Sequence, residues 1–214
     1  MDMVVPRYGE RSLAEVVPSV LAGMGVPGFG DVLGVGEVGS ACVLLVDGLG
    51  WELLAEHADV APFLAGLMPS GQQLTAGFPA TTATSVSALG TGMTPGEHGV
   101  VGYTFAVPHY GLVNALTWRS HADGQAVDLR EVFVPESAQP VDTALQRAAA
   151  AGVSVGAVAP ALHQESGLSR AVLRGARFSA TYALGDLVVA VRDVLRRVPA
   201  FCYAYHGDLD LLGH

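Results

Sequence analysis

Two continuous apolar runs, each followed by a turn that carries aspartate, constrain the fold of this chain most strongly. Residues 41–46 precede Asp47-Gly48, and residues 200–205 precede His206-Gly207-Asp208. Such runs between turn residues are typical of strands buried on both faces of a sheet. Helical patterns separate the runs, so strands and helices alternate along the chain. We therefore predict an α/β fold of three layers, with a mostly parallel sheet between helices.

The remaining elements are predicted from hydrophobic periodicity and from helix-capping residues. Ser12 caps the first helix, with Glu15 three residues later, in the pattern of a capping box. A hairpin is expected over residues 103–118. The helices are expected at residues 12–24, 51–56, 62–68, 82–89, 141–151, 169–175 and 184–198, and the strands at residues 41–46, 72–78, 153–158 and 200–205.

Length and charge limit the classes of function. A chain of 214 residues is long enough for one domain with a substantial core. The net charge of -9, with no lysine and no basic run, excludes a surface for nucleic-acid polymers or acidic membranes. A small phosphorylated substrate remains compatible with this charge if metal ions neutralise the site locally. The oligomeric state is left open.

The cysteines and the N-terminus indicate the compartment. Cys42 and Cys202 both fall within predicted core strands, and we interpret them as small buried hydrophobic residues rather than as a disulfide. The N-terminus lacks a basic region followed by an apolar stretch, so no signal peptide is predicted. No segment is apolar over the length of a bilayer. We expect a cytoplasmic protein.

Polar residues follow the predicted strands in a way that suggests metal and phosphate chemistry. Ligands of open α/β sheets bind beyond the carboxyl ends of the strands, where Asp47 and Asp210 are predicted to lie. Asp210 and His214 are four residues apart and on a helical turn would face the same way. Asp208 is an alternative ligand. Simpler interpretations are that Asp47 caps a helix and that Asp210 and His214 lie in a solvated loop.

Thr82 is the candidate nucleophile. It follows Pro79 at the predicted start of a helix, where unpaired backbone N–H groups and the positive end of the helix dipole favour an anion. A threonine alkoxide at such a site could attack phosphorus if a metal ion activated it. The simpler interpretation is that Thr81 or Thr82 only caps the helix.

In order along the chain, these motifs resemble a known family. The segments are Val-Leu-Leu-Val-Asp-Gly-Leu-Gly at 43–50, Phe-Pro-Ala-Thr-Thr-Ala-Thr-Ser at 78–85, Thr-Gly-Met-Thr-Pro-Gly-Glu-His-Gly-Val-Val-Gly-Tyr at 91–103, and Tyr-His-Gly-Asp-Leu-Asp-Leu-Leu-Gly-His at 205–214. Together they resemble the alkaline phosphatase superfamily and, within it, the nucleotide pyrophosphatase/phosphodiesterase (type I phosphodiesterase) family. The resemblance spans almost the whole chain.

The resemblance implies roles for individual residues. Counting back ten residues from Gly92 places the family's nucleophilic threonine on Thr82 rather than Thr81. Asp47 corresponds to the first metal-binding aspartate, and Asp210 with His214 to the later Asp-x-x-Gly-His pair. The implied metal ligands are therefore Asp47, Thr82, Asp210 and His214, and the implied cofactors are two divalent metal ions, with zinc expected.

The chain departs from the family pattern in two places. The family usually has asparagine where this chain has Tyr103, whose hydroxyl becomes a candidate substrate-binding group. The family also has an Asp-His pair and a final His beyond the motif that ends here at His214. We therefore expect residues 1–214 to be the N-terminal portion of a single catalytic domain, truncated at the C-terminus, without the remaining metal ligands. Such a chain alone would bind metal weakly and have little activity.

The function implied is a metal-dependent hydrolase of phosphodiester or pyrophosphate bonds in nucleotide-type substrates. Other members of the superfamily remain as alternatives: a phosphonoacetate hydrolase, a phosphomonoesterase or a phosphomutase. A sulfatase does not fit, because neither cysteine lies in a Cys-x-Pro-x-Arg segment. A non-catalytic fragment or scaffold with the same fold is the alternative from a different class.

Overall fold

The computed structural model describes residues 4–121 and 125–213. Its α-helices are α1 Val16–Gly23, α2 Trp51–Glu56, α3 Pro62–Leu67, α4 Thr82–Thr91, α5 Pro95–His98, α6 Pro135–Ala138, α7 Ala144–Ala150, α8 Gly167–Val172, α9 Leu184–Leu195 and α10 Asp208–Gly213. Short 3-10 helices lie at Leu13–Glu15, Met68–Ser70 and Ala161–His163. The strands are β1 Ser40–Val46, β2 Thr104–Val107, β3 Gly111–Asn114, β4 Arg119–Ser120, β5 Ser154–Pro160, β6 Arg177–Thr181 and β7 Ala200–His206.

The central sheet has four strands in the order β1-β7-β5-β6, and all its pairs are parallel. Strands β1 and β7, which carry the two long apolar runs, lie side by side with Leu45 opposite Tyr205. Their carboxyl ends therefore lie at the same edge of the sheet, and each is followed by a candidate aspartate. A separate antiparallel sheet, β2-β3-β4, contains the predicted hairpin.

Helices cover both faces of the central sheet. On one face, Phe201 and Tyr203 of β7 belong to a core that also includes residues of α1, α4, α7 and α8. On the other face, α9 packs over Val158, Cys202 and Ala204. These features confirm the predicted α/β class with layers α/β/α and a parallel sheet. Among the described residues, no helix has both the length and the apolar character needed to cross a bilayer.

One predicted strand is absent from the structure, and one observed strand of the central sheet was not predicted. Residues 72–78 are not a strand, since their only ladder contact is an isolated bridge between Ser12 and Thr75. Thr75 exchanges backbone hydrogen bonds with Arg11 and Leu13, and so pairs with the N-terminal segment instead of the sheet. Strand β6 was not predicted. Its sequence, Arg-Phe-Ser-Ala-Thr, lacks a continuous apolar run because it lies at the edge of the sheet.

The prediction that both cysteines are buried is half wrong. Cys202 is fully buried, whereas Cys42 is exposed. Strand β1 is the other edge of the sheet, and Leu44, on the same face as Cys42, is 52% exposed. Helix α9 therefore covers the middle of the sheet more completely than this edge.

Candidate active site

Asp47 and Thr82 are in direct contact, although they are far apart in sequence. The hydroxyl of Thr82 donates a hydrogen bond of 2.9 Å to Oδ2 of Asp47. Asp47 immediately follows β1, and Thr82 is the first residue of α4. The end of the strand and the start of the helix thus bring a carboxylate and a hydroxyl together at the carboxyl edge of the sheet.

The neighbouring Thr81 has a different contact set. It is the N-cap of α4, and its hydroxyl accepts a hydrogen bond of 3.3 Å from the backbone N–H of Thr84. It also lies 3.0 Å from the Thr84 hydroxyl. Capping occupies Thr81, which leaves Thr82 as the hydroxyl of this pair that faces the carboxylate. The other N–H groups of the first turn have no partner within the helix, and they favour an anion.

Tyr205 is a further residue of the site that sequence reasoning missed. Its hydroxyl donates a hydrogen bond of 2.7 Å to the same Oδ2 of Asp47, while Oδ1 accepts from the N–H of Gly48 at 3.1 Å. Burial raises the pKa of Tyr205 above its ordinary value, and the bond to Asp47 adds to this, so the phenol stays protonated and remains a donor. The Asp47 carboxylate thus accepts three hydrogen bonds, from Thr82, Tyr205 and Gly48, and these fix its orientation.

Asp210 lies beside the loop that carries Asp47. A Cβ atom built on Gly48 would lie 2.9 Å from the Cα of Asp210, so only glycine allows the two segments to approach this closely. Gly48 also has φ +78°, a conformation that favours glycine. The charge of Asp210 contributes to the raised pKa of Tyr205. Asp210 thus lies near Asp47 and Tyr205, whereas His214 lies outside the described residues.

These residues line an open cleft of about 910 Å³. Its lining includes both the candidate residues and groups that sequence reasoning did not select: Asp47, Thr82, His163, Tyr203, Tyr205 and Asp210. Arg119, Asp128 and Arg130 also line it, and Arg130 forms an ion pair with Asp128. The cleft therefore combines carboxylates and hydroxyls with two guanidinium groups.

His163 is the imidazole of this cleft within the described residues. Its ring lies edge-on to Tyr205, with 5.4 Å between the ring centroids. Burial lowers the pKa of His163, which favours the neutral ring, and the charge of Asp47 opposes this effect. His163 lies outside the motif segments. Tyr205 begins the last of them but also ends an apolar run, where an aromatic residue resembles an ordinary core residue. Sequence reasoning therefore could not select either side chain.

Tyr103, the candidate substrate-binding residue, is not among the residues that line this cleft. It is 50% exposed and precedes β2, where its carbonyl oxygen accepts a hydrogen bond from Ala115. A role for its hydroxyl in binding substrate stays a prediction from the sequence.

The oxygen donors of the site are of the kind that divalent cations bind. Within residues 4–121 and 125–213, no three or more His, Cys, Asp and Glu side chains are grouped so as to hold a metal ion. Asp47 and Thr82 nevertheless present a carboxylate and a hydroxyl in contact, with Asp210 on the adjacent segment. Carboxylate oxygens are established ligands of zinc. These three residues are the described groups that could hold such an ion.

Comparison with known proteins assigns the family. The family model of type I phosphodiesterase / nucleotide pyrophosphatase matches residues 41–214, a stretch that contains β1, α4 and β7 with the candidate site. No match was found among curated proteins or among solved structures. The matched stretch covers most of the chain and indicates a hydrolase of the phosphodiesterase or nucleotide pyrophosphatase type. The chain therefore belongs to the type I phosphodiesterase / nucleotide pyrophosphatase family.

Proposed function

We propose that the protein hydrolyses phosphodiester or pyrophosphate bonds of small nucleotide-type substrates, with Thr82 as nucleophile. The contact between the Thr82 hydroxyl and Asp47 is the observation that carries this proposal. It joins a hydroxyl at the start of a helix to a carboxylate at the end of a parallel strand, inside a cleft large enough for a small ligand.

Each residue has a distinct part in the proposed reaction. Asp47 accepts the hydrogen bond of the Thr82 hydroxyl and so fixes the direction of the oxygen that attacks. The first N–H groups of α4 face the incoming phosphoryl oxygens and favour their negative charge. Tyr205 holds Asp47 in place through its own hydrogen bond and does not itself react.

The proposed chemistry has two displacements. Attack of the Thr82 oxygen on phosphorus forms an O–P bond and breaks the bond to the leaving oxygen. The hydroxyl proton of Thr82 ends on that oxygen, and the leaving group departs as the first product. The product of this step is a phosphothreonine ester. Water then attacks the same phosphorus, the bond to Thr82 breaks, and the threonine hydroxyl is restored with release of the second product.

We further propose that two divalent metal ions, with zinc favoured, are the cofactors. Asp47, Thr82 and Asp210 would hold them, together with His214, which lies outside the described residues. Bound ions would supply positive charge to the attacking and leaving oxygens and would make the threonine hydroxyl more acidic.

Replacement of the nucleophile tests the proposal. In an enzyme that carries the complete set of metal ligands, with bis(p-nitrophenyl) phosphate as substrate and zinc in excess, Thr82→Ala should reduce kcat by at least about a thousandfold. Ser85→Ala is the matched control, since it removes a hydroxyl from the first turn of the same helix and should retain activity. Wild-type-like turnover by Thr82→Ala would reject Thr82 as nucleophile.

The choice of substrate tests the reaction class. A phosphodiesterase should hydrolyse bis(p-nitrophenyl) phosphate with a higher kcat/KM than the monoester p-nitrophenyl phosphate under the same conditions. The reverse order would favour a phosphomonoesterase in place of the proposed activity.

A further inference from the structure

The two cysteines of the chain lie side by side in the central sheet. In the parallel pairing of β1 with β7, Cys42 is directly opposite Cys202. Paired residues of adjacent strands are about 4.8 Å apart, and their side chains project from the same face. This separation falls within the range of about 4.4–6.8 Å between the Cα atoms of a disulfide.

The environments of the two thiols differ. Cys42, on the edge strand, is exposed, whereas Cys202 has no exposed surface and lies beneath α9 in a cluster with Val158, Leu187 and Ala204. The adjacent Cys202 thiol lowers the pKa of Cys42. The Cys42 thiol in turn raises the pKa of Cys202, and burial adds to this effect. Cys42 is therefore the thiol that solvent reaches and that ionises more readily.

We propose that Cys42 is a site of oxidation by hydroperoxides and that Cys202 resolves the oxidised thiol as an intramolecular disulfide. An exposed thiol next to a buried partner in disulfide range is the arrangement that such a reaction needs. The sequence contains only these two cysteines, so an intramolecular disulfide in this chain can only join them. The proposal is independent of the hydrolase activity, since both side chains lie on the face of the sheet covered by α9.

The proposed steps balance in atoms and electrons. The Cys42 thiolate attacks one oxygen of hydrogen peroxide, the O–O bond breaks, and Cys42 becomes a sulfenic acid with release of hydroxide. The Cys202 sulfur then attacks the Cys42 sulfur, the S–O bond breaks, and water leaves with the proton of Cys202. Two thiols are oxidised by two electrons in total, and one peroxide is reduced.

Mass spectrometry of the folded protein tests this proposal. The reduced chain is treated with one equivalent of hydrogen peroxide, denatured in N-ethylmaleimide and weighed intact. The expected product is a monomer that has lost two hydrogen atoms and takes up no maleimide. In Cys202→Ala, Cys42 should stop at the sulfenic acid, which dimedone traps.

The matched variant Cys42→Ser tests the expected difference in reactivity between the two thiols. Its remaining thiol, Cys202, should react with peroxide at least about tenfold more slowly than Cys42 does in Cys202→Ala. Denaturant should remove this difference, because the unfolded chain exposes both thiols. Equal rates in the folded variants, a disulfide between two chains, or a wild-type protein that stops at the sulfenic acid would each overturn the proposal. The wild-type result does not depend on how well either variant folds.

Discussion

Tyr203 and Tyr205 lie two residues apart on β7, and their hydroxyls have different surroundings. The Tyr205 hydroxyl donates to Asp47, while the buried Tyr203 hydroxyl has no hydrogen-bond partner among the described residues. A hydrogen bond to a charged group stabilises the fold, whereas an unpaired buried hydroxyl carries an uncompensated desolvation cost. The same chemical change at the two positions should therefore have different effects.

We expect Tyr205→Phe to lower the free energy of unfolding by about 1–2 kcal/mol, because Asp47 loses a donor. Tyr203→Phe should leave the free energy of unfolding unchanged or raise it. Urea unfolding of the two variants and of the wild-type protein measures both values. Equal losses would show that the bond from Tyr205 to Asp47 has no special role in stability.

His98 makes stability depend on pH. It is 2% exposed, its Nδ1 accepts a hydrogen bond of 3.1 Å from the N–H of Val100, and its Nε2 is unpaired within the described part of the chain. Burial lowers the pKa of His98 to about 4, against an opposing effect of the Glu97 charge. The unfolded chain therefore binds a proton at this residue at higher pH than the folded chain does.

The free energy of unfolding should accordingly fall as the pH drops from about 6.5 to about 4 and then level off with respect to this group. Between about pH 7 and about pH 5 the His98 contribution should be a loss of about 2 kcal/mol. His98→Asn keeps an acceptor for the Val100 N–H but cannot titrate. In urea unfolding it should lose less stability over this interval than the wild-type protein. Identical pH dependence in the two proteins would rule out His98 as the cause.

At the scale of elements, α4 depends on a close approach to α8. A Cβ atom on Gly90 of α4 would lie 2.2 Å from the carbonyl oxygen of Val172 in α8. Only a shift of the backbone could remove this overlap. Alanine normally stabilises a helix interior by about 1 kcal/mol relative to glycine. Here the steric clash is the larger effect. The absence of a side chain at Gly90 therefore lets α4, which begins with the proposed nucleophile, pack closely against α8.

Gly90→Ala should therefore lower the free energy of unfolding by about 1–3 kcal/mol. Gly185→Ala in α9 is the matched control, because a Cβ atom there meets nothing within 4 Å, and it should be neutral or slightly stabilising. Thermal unfolding of both variants shows whether each substitution lowers or raises the stability of the protein. A stabilised Gly90→Ala protein would contradict the packing of α4 against α8.

The elements predicted from the sequence are those with a strong internal pattern. Strands β1 and β7 were predicted because both are long apolar runs, and the first helix because Ser12 and Glu15 form a capping box, which the structure contains. The helix predicted at residues 141–151 is shorter, because Thr143 caps α7. Strand β6 and the false strand at residues 72–78 depend on which partner each segment finds, and the local sequence does not encode this.

At the scale of the whole molecule, the parallel topology brings distant residues to one edge of the sheet. The sequence alone identifies Asp47 and Thr82, because Asp47 follows a predicted strand and Thr82 begins a predicted helix. Tyr205 and His163 could not be selected in the same way. They come close to Asp47 only because β7 pairs with β1 and because the 3-10 turn Ala161–His163 follows β5. Exposure of Cys42 likewise follows from strand order and not from the composition of its strand.

Thr82, held by Asp47, is the proposed nucleophile. Acid quenching during turnover of bis(p-nitrophenyl) phosphate with zinc present, followed by peptide mapping, tests it most directly, because acid stops the reaction while a phosphothreonine ester survives. We expect a covalent p-nitrophenylphosphoryl group on Thr82 in the wild-type protein and none in Thr82→Ala. A phosphoryl group on Thr81 or Ser85, or sustained turnover without any phosphorylated peptide, would contradict it.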